Sequence, residues 1–280
     1  MDPIVISGGL TAAFWAAAFC TLALPVILLI ALGVMKKISA GPLFLGFASF
    51  FVSQIVLRVP LLQALGGQGW FQSFATHTAV YALVIGGFTA GLFEETARLA
   101  GAAILKKKLT YKTMLSFGLG HGLCEVIVIT GLGQINNLVL CAALADPQGA
   151  LAATVLAGAD PAAVQAVAAQ LAATTPAMMG LAVVERVSAV LYHLFATCLV
   201  FTAVKRGKPL YYFAALLAHT LFNFLAVMLN IWLGMWIMEA LLLAAGVCFG
   251  IYVRRARRWF DAPEALPAPT APQALPDEAE

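Results

Sequence analysis

Seven apolar runs of about 20 residues or more, near 9–34, 43–65, 76–105, 113–142, 177–204, 210–230 and 232–253, decide what this chain can fold into. Runs of that length cross the roughly 30 Å hydrocarbon core of a bilayer as helices, whereas the strands of a membrane barrel alternate over about ten residues. Composition agrees, since 62% of residues are hydrophobic, 10% are charged and mean hydropathy is +0.94. A soluble domain carries about 25% charged residues. The fold class is therefore all-α, a polytopic membrane helical bundle of about seven transmembrane helices.

Net charge is only +3, but its placement is informative. Lys36-Lys37, Lys106-Lys107-Lys108, Lys205-Arg206 with Lys208, and Arg254-Arg255 with Arg257-Arg258 fall at every second connection. The alternate loops, 66–75 and 143–176, contain no Lys or Arg. The positive-inside rule then predicts the N-terminus outside and the C-terminus in the cytoplasm. Residues 1–260 read as one membrane-embedded domain of a cell membrane, with a bacterial inner membrane expected. The first run lacks a basic start and is too long for a signal-peptide core, so it is read as retained. The outside loop 143–176 is Ala-rich, and Asp160-Pro161 predicts the start of a short helix in it. The acidic Pro/Ala-rich tail 261–280 is expected to be disordered. Five Cys without CxxC spacing lie within or at the ends of apolar runs and are expected as buried small hydrophobes. No internal repeat is evident.

Against this apolar background, four runs carry ionisable or strongly polar groups: Glu94, Glu95 and Arg98; His121 and Glu125; His193; His219 and Asn223. An ionisable group at the bilayer centre costs at least roughly 2.5–3.5 kcal/mol, so such groups face a protein interior and mark function. Counting helical rise from the basic ends puts the Glu, His and Asn residues roughly 13–21 Å deep, although the helices run in opposite directions. Each set shares a helix face, and Gly87, Ala90, Gly91, Gly118 and Gly122 on the same faces allow helices to approach closely.

These residue types suit peptide hydrolysis. One buried carboxylate can hold and deprotonate water beside a neighbour that stays protonated. Histidines can bind a metal or move the proton of that water. Asn can donate to the charge developing on a scissile carbonyl, and Arg98 can balance the carboxylate pair.

Glu94-Glu95-x-x-Arg98, Phe117-x-x-x-His121 and His219-x-x-x-Asn223 resemble, in order, the three motifs of the CAAX prenyl protease and bacteriocin-processing (CPBP) superfamily. The run Gly120-His121-Gly122-Leu123-Cys124-Glu125 and the segment from Glu185-Arg186 to His193 look more specifically like YhfC-type intramembrane metalloproteases. The resemblance covers about 80–230. It implies Glu94 or Glu95 as the water-activating base, His121 and His219 around that water, and Asn223 as oxyanion donor. Arg98 comes one residue earlier than the prenyl-protease pattern usually has it, which leaves open which Glu is catalytic. Glu125 and His193 have no counterpart in the prenyl-protease triplet and are assigned supporting or metal-binding roles.

The function expected is thus an intramembrane endopeptidase, of glutamic or metallo type, acting on a membrane-associated peptide or protein. The alternative is a proton- or cation-coupled transporter using the same Glu/His layer, against which stands the lack of an inverted repeat. Haem ligation by facing His ranks last, because the Glu pair gives it no purpose. If a metal is used, zinc on His121, His193 and His219 is expected. The absence of HExxH favours a mechanism without tightly bound metal. Among the other polar groups, His77, the pair Glu185 and Arg186, and Glu239 are read as interfacial, and Arg58 as a counter-ion of the Glu pair or a snorkelling side chain. The lipid bilayer is a partner, nothing points to nucleic acid, and the sequence leaves substrate identity and oligomeric state open.

Overall fold

A computed structural model describes residues 7–261, which are helical throughout apart from short connections and contain no strand. In chain order the long helices are α1 (Gly8–Val34) and α2 (Ala40–Gly66); a short α3 (Gly69–Ala75) then bends by 104° into α4 (Thr78–Ile104). They continue with α5 (Tyr111–Ala145), the short α6 (Ala150–Val155) and α7 (Pro161–Ala173), then α8 (Pro176–Arg206), α9 (Leu210–Leu233) and α10 (Met235–Phe260). Six of these are long and apolar enough to cross a membrane, and α4 joined to α3 makes a seventh. The protein is a multi-pass membrane protein whose spans follow the seven apolar runs.

The ends of these helices follow from local chemistry. Ser7, Thr110, Asp160 and Thr175 each accept a bond from a backbone N–H in the first turn of α1, α5, α7 and α8. Pro161 and Pro176 open α7 and α8, where the missing N–H has no partner to lose. Gly207, at φ +62°, closes α8 in the left-handed conformation that L side chains avoid. The 66–75 loop contains α3, and the 143–176 loop contains α6 as well as α7, so both connections are more helical than expected. The tail read as disordered lies, beyond Asp261, outside the described residues.

Four π-helical stretches interrupt the α geometry: Phe19–Ala23 in α1, Phe51–Arg58 in α2, Ala82–Thr89 in α4 and Val126–Gly131 in α5. Such turns leave some carbonyls free for side chains. Arg58 Nη2 donates to Ile85 O (2.6 Å) and Asn223 Nδ2 to Gly86 O (3.1 Å), both within the α4 stretch.

The most deeply buried helix is α8, packed against α4, α5, α9 and α10. α2 lies across α5 and α4, and α1 covers the far half of α5 and part of α8. Outward-facing Trp15, Phe44, Leu217 and Trp236 are well exposed, as a lipid-facing surface requires. All five cysteines are free; Cys124, Cys141 and Cys198 are buried, whereas Cys20 is half-buried and Cys248 exposed, contrary to the uniform burial expected.

The α2–α5 crossing is backbone against backbone. A Cβ on Gly120 would lie 2.0 Å from Leu43 O, and one on Gly46 would lie 2.0 Å from Phe117 O. Only glycine lets these two helices meet. Gly120→Ala is therefore expected to cost about 1–3 kcal/mol, the usual range for overpacking, read as a lowered unfolding midpoint in detergent.

Candidate active site

Helices α4, α5, α8 and α9 bring the polar layer together at the bundle centre. Glu94, Glu95 and Arg98 from α4, His121 from α5, His193 from α8 and His219 from α9 are all at most 5% exposed. The four runs that the sequence put at one depth are thus one connected cluster.

Glu94 is its hub. His121 Nε2 donates to Glu94 Oε2 at 2.9 Å, and Arg98 Nη2 approaches the same oxygen at 3.3 Å. His193 Nδ1 stands 3.8 Å from Oε2, and His219 Nε2 stands 3.9 Å from Oε1. Glu95, fully buried, takes Arg98 Nη1 and the Nδ1–H of His219, the latter at 2.7 Å, both on Oε1. Glu95 Oε2 and Arg98 Nε have no partner among the described residues.

The outer nitrogen of each imidazole is held by a different group. Ser49 Oγ meets His121 Nδ1 at 3.2 Å, Glu125 Oε2 meets His193 Nε2 at 2.5 Å, and Glu95 holds His219. Glu125 and Glu95 are acceptors, so His193 and His219 carry their hydrogens outward and turn a lone pair inward. Arg98 Nη2 donates to the inward lone pair of His193 at 2.5 Å. Ser49 can donate or accept, so it accommodates either tautomer of His121.

The network continues beyond the expected residues. Arg186 Nη1 donates to Glu125 Oε1 at 2.7 Å and its Nη2 donates to Glu185. The pair expected at the interface is therefore anchored to the site through Glu125. Glu239, also expected at the interface, is buried at 6% exposure, with Oε2 unpartnered among the described residues. Arg58 donates to Gln54, Thr89 and Ile85 O, and none of its bonds goes to the Glu pair. His77 is exposed at the start of α4, as expected. Asn223 lies at the edge of the cluster, with one amide hydrogen given to Gly86 O.

A cavity of about 70 Å³ opens beside the hub, with Glu94, Glu125, His193, His219, Asn223 and Tyr192 among its walls. That is room for a water or two. Tyr192 packs edge-on against His219, with ring centroids 5.2 Å apart, and closes one side.

The donor set also suits a metal. Glu94, His121 and His193 offer one carboxylate oxygen and two imidazole nitrogens, all within 4.8 Å of one another. Zinc accepts such ligands, and outer hydrogen bonds like those of Ser49 and Glu125 are what fix ligating imidazoles. Charge points the same way. Within the connected network, Glu94, Glu95, Glu125 and Glu185 face Arg98 and Arg186, a shortfall of two positive charges when the carboxylates are ionised. A divalent cation or two protons would close it. His219 Nε2, on the other oxygen of Glu94, stands apart from that group, so the assembled ligand set differs from the three-His set expected.

The family model for the YhfC intramembrane metalloproteases matches residues 20–244. An uncharacterized membrane protein YhfC of Bacillus subtilis (strain 168) is 35% identical over 146 residues, 52% of this chain and 56% of the relative. The chain thus spans little more than half the length of that relative. No solved structure matches.

Proposed function

This chain belongs to the YhfC intramembrane metalloprotease family, and from that premise we propose that it hydrolyses a peptide bond of a membrane-associated substrate within the bilayer, with Glu94 as the base. The observation that carries this reading is the 3.9 Å gap between Glu94 Oε1 and His219 Nε2 at the cavity. Both atoms are acceptors, since the hydrogen of His219 is committed to Glu95. One water donating to each would fill that gap, oriented and ready to lose a proton.

In this mechanism Glu94 Oε1 takes the proton as the water oxygen attacks the scissile carbonyl carbon. The second amide hydrogen of Asn223, unused by Gly86, donates to the carbonyl oxygen as it gains charge. Glu94 then returns the proton to the leaving nitrogen as the C–N bond breaks, giving a carboxylic acid and an amine, and the acid proton passes to the amine. Glu95 and Arg98 hold His219 and Glu94 in place and stay out of the reaction. A metal held by His121, His193 and Glu94 Oε2 would supply polarisation of the carbonyl and a more acidic water. In this reading the reacting layer lies at midplane or slightly toward the cytoplasm, by the helical rise counted from the basic ends and the positive-inside rule.

Cells expressing the chain, compared with cells expressing Glu94→Gln at equal abundance for new peptide termini in their membranes, test this reading. Two further variants grade the roles. Asn223→Ala is expected to slow appearance of a substrate terminus about 10²–10³-fold, the usual cost of one oxyanion donor. Its effect on stability should be only about 0.5–1.5 kcal/mol, for the bond to Gly86. Glu125→Ala is expected to cost about 10–100-fold in the same rate, because His193 loses the partner that orients it. An unchanged rate in Glu125→Ala would remove Glu125 from the machinery.

A further inference from the structure

The geometry points to a second role for Arg98: it is the resident cation of a site that also takes a divalent metal, and metal entry moves its guanidinium off Glu94 and His193 onto Glu95. The inference rests on reading Glu94, His121 and His193 as a ligand set.

Three observations carry it. First, Arg98 Nη2 lies 2.5 Å from His193 Nδ1 and 3.3 Å from Glu94 Oε2, two of the three candidate ligand atoms, which are themselves 3.8 Å apart. A metal bonded to both at zinc's usual distance of roughly 2 Å would meet that guanidinium nitrogen, charge against charge. Arg98 and the metal therefore exclude one another in this arrangement.

Second, Arg98 has somewhere to go. Its Nε and Glu95 Oε2 are buried and unpartnered, one a donor and the other an acceptor, while Nη1 already reaches Glu95 Oε1. A turn of the guanidinium that brings its Nε–Nη2 edge onto Glu95 makes the two-pronged pair that Arg and carboxylate favour and satisfies both orphaned atoms. That turn also frees the lone pair of His193.

Third, the other ligands adapt without moving. His193 keeps its hydrogen on Glu125. His121 needs only to shift its hydrogen to the nitrogen facing Ser49, whose hydroxyl can accept as readily as donate. Metal-free and metal-loaded forms are then two settings of one side chain on an otherwise fixed frame.

The test is zinc affinity of the purified full-length chain in detergent, measured by competition with a chromophoric chelator. Removing Arg98 alone would leave two buried carboxylates uncompensated, so the informative variant is Arg98→Met with Glu95→Gln, which deletes a cation and its anion together. Its affinity is expected to exceed wild type by about tenfold or more, because the competing state no longer taxes binding. Glu95→Gln alone is expected to shift affinity the opposite way, since Arg98 loses its refuge. Both changes should vanish when His121→Ala is added.

A double variant no tighter than wild type, with zinc still dependent on His121, would overturn the role of Arg98 and leave the metal site standing. Zinc binding independent of His121 in every form would overturn both. Either result leaves the peptidase reading to the peptide-terminus comparison.

Discussion

Membranes carrying Glu94→Gln are expected to lose essentially all the peptide termini that the intact chain generates, a fall of about 10²–10⁴ in rate, the range a positioned general base contributes. The substitution keeps the shape of the side chain and one carbonyl oxygen, so packing at the hub is conserved. It removes the one function the mechanism assigns to Glu94, accepting a proton. Gln can also present an N–H where the water must donate, which disorders the 3.9 Å gap to His219. Glu95→Gln should lose less, because Glu95 has no exposed surface and orients His219 without facing the cavity. Isotope-labelled terminal proteomics on matched membranes measures both. Equal termini from wild type and Glu94→Gln, with both proteins monodisperse and inserted, would end the peptidase reading and make solute flux in proteoliposomes the next experiment.

Arg98→Ala is expected to be the most damaging single substitution for stability, costing about 3–5 kcal/mol. Arg98 is completely buried and bonds Glu94, Glu95 and His193 at once. Its loss leaves two adjacent carboxylates on one helical turn with no cation in contact, and water cannot reach them freely. Breaking a buried ion pair from one side is costly for that reason, even where the pair itself adds little. Unfolding monitored in mixed micelles should show the loss, and Glu95→Gln added to Arg98→Ala should recover part of it. A single variant as stable as wild type would mean that the carboxylates are neutral in the folded chain.

Much of this arrangement is legible in the sequence, for physical reasons. Length and hydropathy determine whether a run can span a bilayer, so the seven runs correspond to α1, α2, α4, α5, α8, α9 and α10. Ionisable groups are conspicuous in hydrocarbon, which is why Glu94, Glu95, Arg98, His121, His193 and His219 stand out in the sequence alone. Partners are harder to read. Ser49 is one small polar residue in a run of mostly large apolar ones, and nothing in that run connects it to His121. Glu185 and Arg186 were read from depth alone, and depth says nothing of the sideways reach to Glu125. Burial of Glu239 depends on how α10 packs, which periodicity does not encode. Which of Glu94 and Glu95, adjacent in sequence, faces the cavity is readable only in three dimensions: Glu94 lines it and Glu95 does not.

The π-helical stretch at Ala82–Thr89 has a consequence for how such a chain can change over time. Its widened turns hold Ile85 O and Gly86 O where Arg58 and Asn223 can reach them, nine and eight residues before Glu94. Losing one residue there would leave an ordinary helix of nearly the same length and hydropathy. The flanks would stay roughly in register, because the wide turns absorb one residue, but Ile85 O and Gly86 O would be taken up by the helix's own N–H groups. Such a deletion would pass any composition-based test for a membrane span while disconnecting Asn223 from its anchor. Within this fold, gaps in that segment are more informative about a relative's chemistry than substitutions around it.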